Sequence, residues 1–144
     1  MTSLDELNQR GVGLLPGYLG IVFTYVADGQ IRAELPLRRE LMAANGYLHA
    51  GTVVTLADTA AGFGCLSHLP PGATGFTTIE LKSNFLGTAL SGTIEAAATL
   101  VHRGRTTQVW DATVTHKDTG KVIALFRCSQ MILYPSAPSS PTPR

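Results

Sequence analysis

Residues 50–66 read AGTVVTLADTAAGFGCL. The stretch is rich in Ala and Leu and carries a single charge, Asp58, between two glycine-containing segments. A helix that is apolar nearly all round has to be buried, so the rest of the chain must supply the layer that covers it. After the Pro70-Pro71-Gly72 break come four strand-like runs, 76–85, 93–102, 106–116 and 122–133, rich in Thr, Val, Ile and aromatic residues. They are parted by 87–92, Arg103-Gly104-Arg105 and Asp118-Thr119-Gly120, breaks short enough to predict an antiparallel meander. Ahead of the helix, 18–26 and 30–37 flank Asp28-Gly29, and the second run alternates Ile31, Ala33 and Leu35 with Arg32 and Glu34. That predicts a hairpin. Together these patterns give an α+β domain with one central helix lying across a curved antiparallel sheet.

The two ends of the chain read differently from this middle. Leu4 to Gln9 predicts a short helix capped by Ser3 with Glu6 at the capping-box position, ended by Gly11, Gly13 and Pro16. Residues 1–16 are therefore expected to form a peripheral flap and 17–134 the domain itself. Residues 135–144 hold four prolines and three serines in ten positions, a composition that builds neither core nor ladder and predicts a disordered tail.

Composition limits the functions on offer. With 144 residues there is one core and no second domain. Hydrophobic residues make up 44% and charged residues 15%, a small allotment of charge that predicts apolar surface hidden between subunits. A net charge of +1 argues against nucleic acid or an anionic membrane as partner. Cys65 and Cys128 lie in apolar stretches without ligand-type spacing, as in a reducing compartment, and His68, His102 and His116 are scattered, so no metal site is expected. The N-terminal segment has no apolar h-region and no run is long enough to span a bilayer, which predicts a cytoplasmic protein.

Chemistry gathers in Asn45-Gly46-Tyr47-Leu48-His49-Ala50-Gly51 and the helix that follows. A carboxylate on a helix is ordinarily a solvated surface group. Asp58, alone in an apolar helix, would cost several kcal/mol if buried unpaired, and a cost of that kind points to function. Gly51 stands near the helix start, where free N–H groups and the macrodipole favour an oxyanion, although a glycine there can also simply relieve crowding. His49 can orient a substrate or move a proton, or be a hydrogen-bonded structural residue. Asn45 can polarise a carbonyl or position a water, or serve as a turn residue before Gly46.

The segments Gly46-Tyr47-Leu48-His49-Ala50-Gly51 and Leu56-Ala57-Asp58-Thr59-Ala60 resemble the His-Gly-Gly loop and Leu-Ala-Asp-Thr helix of the phenylacetate-pathway-type (PaaI-like) hotdog thioesterases, with the same spacing from histidine to carboxylate. Thr78 to Leu86 resembles the family's third strand and Gly104-Arg105-Thr106 its hairpin, so the likeness runs over roughly residues 17 to 133. It implies a hotdog fold, a long central helix wrapped by a curved antiparallel sheet. It also implies hydrolysis of an acyl-CoA thioester by a homodimer or dimer of dimers (a homotetramer), coenzyme A being part of the substrate and no separate cofactor being needed. On that reading Asp58 is the general base or nucleophile, the Gly51 amide faces the oxyanion, His49 contacts the thioester, and Thr78 helps position water or carboxylate. The chain departs from the family pattern at Ala43, where the family has Asn or Gln, and at Ala50 in the loop.

The phosphates of coenzyme A call for cationic donors, and Lys82, Arg103 and Arg105 lie on a strand and a hairpin turn where side chains are accessible. Solubility is the ordinary role of such residues. A non-catalytic acyl-CoA-binding or ligand-sensing module is the competing function, and a hydratase or dehydratase pairing His49 with Asp58 across subunits ranks behind it.

Overall fold

The structure, a computed structural model, describes residues 2–136. The expected tail therefore falls almost wholly outside the described residues. In chain order the elements are α1 (Leu4–Arg10), α2 (Leu15–Leu19), β1 (Val22–Ala27), β2 (Gln30–Pro36), a single 3₁₀ turn (Arg39–Leu41), α3 (Ala50–Ser67), β3 (Gly75–Phe85), β4 (Thr93–Arg103), β5 (Thr107–His116) and β6 (Val122–Leu133). The six strands form one antiparallel sheet in the order β1-β2-β4-β5-β6-β3, and α3 packs across its concave face.

Small side chains let α3 come close to the sheet. Ala57, Ala60, Ala61 and Gly64 are all buried on its inner face. A Cβ on Gly64 would stand 2.8 Å from two ring carbons of Trp110, so glycine is what allows the indole to lie flat under the helix. Trp110, Ile31, Leu56, Ile94 and Ile123 are fully buried around this contact, each contributing about 1.5–3 kcal/mol of hydrophobic burial. Phe63 of α3 stacks on Phe23 of β1 at 4.8 Å between ring centroids.

Two expectations are corrected. Tyr18 to Ile21 is not strand, because Pro16 starts the short helix α2, its fixed φ suiting a first helical turn, and Gly20 ends it at φ 90°. Nor do β3 to β6 form a simple meander. The 87–92 connection carries the chain from the sheet edge to its middle, so β4 pairs with β2 while β3 pairs with β6. Alternation identifies strands and says nothing about which neighbour each one takes.

The capping box of α1 is present as expected: Ser3 Oγ accepts from the Glu6 N–H at 3.3 Å and Glu6 Oε2 from the Ser3 N–H at 2.8 Å. The segment expected to be a flap is nevertheless fastened. Leu7 is fully buried, and the Asn8 amide exchanges two hydrogen bonds with the Phe23 backbone, at 2.8 and 3.1 Å.

β3 is the most exposed element of the sheet. It lies at the sheet edge and most of it is exposed on both faces. Leu81 faces the same side as buried Cys128 yet is 42% exposed, and Ile79 and Phe85 are 54% and 47% exposed. An apolar edge strand open to water is a template for pairing.

Candidate active site

The site is assembled around the start of α3. His49 is the N-cap, and its Nδ1 accepts from the Gly51 N–H at 2.7 Å. The loop before it is a tight turn. Ala43 donates to the Tyr47 carbonyl at 2.7 Å, Gly46 donates back to the Ala43 carbonyl at 2.9 Å, and Gly46 takes φ 86°, the left-handed region that glycine tolerates. Asn45 Oδ1 accepts from the Tyr47 N–H at 3.1 Å, an Asx-turn, so the carbonyl end of its side chain is spent inside the loop. Leu41 ties loop to helix: its carbonyl accepts from the His49 N–H at 3.2 Å and from Thr52 Oγ1 at 2.9 Å.

Gly51 meets His49 so closely that a Cβ there would lie 2.8 Å from Nδ1. Glycine at this position thus lets the imidazole cap the helix. With Nδ1 accepting, the ring carries its proton on Nε2, on an exposed side chain. The Gly51 N–H, expected to face an oxyanion, is engaged by this cap in the single chain.

Asp58 lies two turns further along the same face, about 10 Å up the axis from Gly51. Its Oδ1 is buried and has no hydrogen-bond partner among the described residues, and burial holds its carboxyl above the usual carboxylate range. Thr78, expected at the site, belongs to a polar row whose other members, Gln130 and Cys128, the sequence does not mark as site residues. Thr78 Oγ1 donates to Gln130 Oε1 at 2.7 Å, and Gln130 Nε2 donates to Cys128 Sγ at 3.3 Å. Burial pushes the Cys128 thiol up to about 12, with the Asp58 carboxylate adding to the push. A second buried side-chain atom without a partner among the described residues is Ser83 Oγ, on the inward side of β3 opposite buried Phe126. Nothing in the sequence separates Gln130 or Ser83 from ordinary strand residues except inward parity in an alternating run.

The expected phosphate-binding residues divide. Arg103 and Arg105 line one cavity of about 290 Å³ between the β4–β5 turn and residues 68–71 after α3. Arg103 Nη2 donates to Asp28 Oδ1 at 2.8 Å. Lys82 is not with them. It faces the outer side of β3 in register with Arg127, which pairs with Asp111 at 2.5 and 2.8 Å. Among the described residues no cluster of three or more His, Cys, Asp or Glu could hold a metal ion, and no helix is long and apolar enough to cross a membrane.

One long helix packed across a six-stranded antiparallel sheet, with a half-buried carboxylate on the helix, is the architecture of the hotdog fold. Residues 45–123 match the family model described as the thioesterase superfamily, and the chain belongs to this family. A 1,4-dihydroxy-2-naphthoyl-CoA hydrolase of Listeria monocytogenes is 32% identical over 111 residues, 77% of this chain and 89% of the relative. Among solved structures, a mutant of thioesterase PA1618 from Pseudomonas aeruginosa superposes with a TM-score of 0.87 at 28% identity, covering 92% of this chain and 95% of that one. The PaaI protein of Escherichia coli, at 22% identity, covers 91% of this chain and 96% of its own with a TM-score of 0.77, a likeness of fold.

Proposed function

We propose that the chain hydrolyses an acyl-CoA thioester to the free acid and coenzyme A, with Asp58 as general base or nucleophile. The observation that carries this reading is the orphaned Oδ1 of Asp58 in a thioesterase-superfamily chain. An unsatisfied buried carboxylate oxygen costs stability, and a reacting water, donating to it, would satisfy it. The name of the Listeria relative supports a CoA thioester as substrate. Water adds across the C–S bond. Its proton leaves through Asp58, or Asp58 first forms an anhydride that water opens, and the thiolate takes up a proton.

The His49 cap refines the oxyanion side. Because the Gly51 N–H holds Nδ1, the His49 Nε2–H is the donor turned outward, and at the positive end of α3 it polarises the thioester carbonyl. The Gly51 amide joins it when the imidazole shifts. Gly51 and His49 lie about 10 and 13 Å along the helix from Asp58 of the same chain, too far to share one carbonyl with it, so each site takes its carboxylate from one chain and its donors from another. The apolar edge of β3 supports a homodimer built by edge pairing, and a dimer of dimers remains compatible with it.

Ala43 favours a second reading, a binding module without turnover, because it brings no side-chain donor, leaving only the Nδ2 end of Asn45, whose Oδ1 is held in its own turn, to fill that role. Release of free thiol from a panel of aromatic, short and medium-chain acyl-CoAs separates the two. Steady turnover in the wild type, lost in Asp58→Asn, is expected; binding with no thiol release would leave the module.

A further inference from the structure

Resting on the CoA-thioester reading, we propose that Asp28 competes with the phosphates of coenzyme A for Arg103, so that the β1–β2 turn sets how tightly the nucleotide end of the substrate is held. The cavity it borders is built for such a group. Its lining joins apolar residues, Leu69, Pro70 and Pro71, with two basic ones, Arg103 and Arg105. A purine can lie on the apolar residues while phosphates meet the basic ones. The cavity is ten residues past Asp58 along α3 and its exit, about 15 Å by helical rise, a span that an extended pantetheine arm bridges.

Within this cavity the two arginines are not equivalent. Among the described residues the Arg105 guanidinium has no acidic partner, its backbone carbonyl accepting from the Tyr134 hydroxyl. Arg103 is held by Asp28, whose Oδ1 lies 2.8 Å from Nη2 and 3.5 Å from His68 Nε2. The histidine does not neutralise that carboxylate. Its Nε2 accepts from the Gly29 N–H at 2.8 Å, while Nδ1 bonds the Gly64 carbonyl at 2.7 Å, so its ring proton is on the far side. Asp28 is 75% exposed and can be displaced into water at little cost. A phosphate dianion carries more charge and more acceptor oxygens than the carboxylate it would replace. Asp28 thus lowers affinity twice, by occupying a donor of Arg103 and by repelling the incoming anion.

The test uses adenosine 3′,5′-bisphosphate, the nucleotide end of coenzyme A, in titration calorimetry that requires no turnover. Asp28→Asn should tighten binding about threefold, the scale of an exposed ion pair. Most of that gain should vanish in the Arg103→Ala background, a coupling that independent sites would not show. In kinetics, Asp28→Asn should lower KM for an acyl-CoA by the same factor, leaving kcat unchanged and leaving KM for the same acyl group on pantetheine unchanged. Asp28→Ser, which also removes the charge, should repeat the result. The inference is overturned if the bisphosphate does not bind, if Asp28→Asn weakens binding or leaves it unaltered, or if both thioesters shift equally. A chain that binds as expected but releases no thiol would retain the role of Asp28 and discard the hydrolase reading.

Discussion

At the scale of single residues, Asp58 ties chemistry to stability in opposite directions. Burial raises its carboxyl pKa above 3.8. A base or nucleophile must be ionised, so kcat/KM should climb as pH rises through that raised value and level off above it. The same shift costs stability. Because the folded pKa is above the unfolded one, the penalty is absent at pH below the unfolded value, sets in as pH rises between the two, and is complete above the folded value. Asp58→Asn should therefore lower turnover at least about a hundredfold while raising Tm at neutral pH, by roughly 1 kcal/mol of stability. That gain should disappear below pH 3.8. Scanning calorimetry at the two pH values checks it, and a Tm that falls at neutral pH would mean the carboxylate is structural. His49→Ala should cost about ten- to a hundredfold in kcat through loss of a polarising donor, whereas loss in KM alone would make His49 a binding residue. That Asp58 sits on the central helix with a buried oxygen was legible in the sequence, because it is the one charge in an apolar helix. The row Thr78–Gln130–Cys128 was not, since only the pairing of β3 with β6 brings Thr78 opposite Gln130.

Among the elements, α3 depends on its glycines unequally. Gly64→Ala gains helix propensity of about 1 kcal/mol but drives a Cβ to 2.8 Å from the buried Trp110 ring, an overpacking cost of about 1–3 kcal/mol. Net destabilisation is expected in urea unfolding. Gly62→Ala meets only the tip of the half-buried Phe76 ring at 3.1 Å, which can give way, so that variant should be neutral or stabilised. Equal losses at the two positions would contradict the packing described. The extent of α3 and of five of the six strands was legible to within a residue or two, because period and turn residues are local signals. The start of β1 was not, as the apolar run 18–26 hides a proline-started turn of helix, and neither was the order of strands, which depends on contacts far apart in the chain.

At the scale of the whole molecule, the proposed mechanism requires a second chain. The apolar composition predicts buried subunit contacts, and β3, with Ile79, Leu81 and Phe85 half exposed, is the surface on which we propose the dimer forms. Leu81→Lys should convert the dimer to monomer in analytical ultracentrifugation and abolish turnover together with it, while a monomer of full activity would remove the need for a partner. The central claim is that Asp58 of one chain works on a thioester held by His49 of another, and mixing two inactive variants tests it most directly. Asp58→Asn and His49→Ala homodimers should each be impaired at both sites. After subunit exchange, a mixed dimer would have one site with both residues intact and one with both lost, so each mixed dimer should recover about half of the normal activity. Thiol release is the measurement. Recovery well above the mean of the two parents is the result this account predicts, and activity no higher than that mean, with exchange verified, would show that each site is built within one chain.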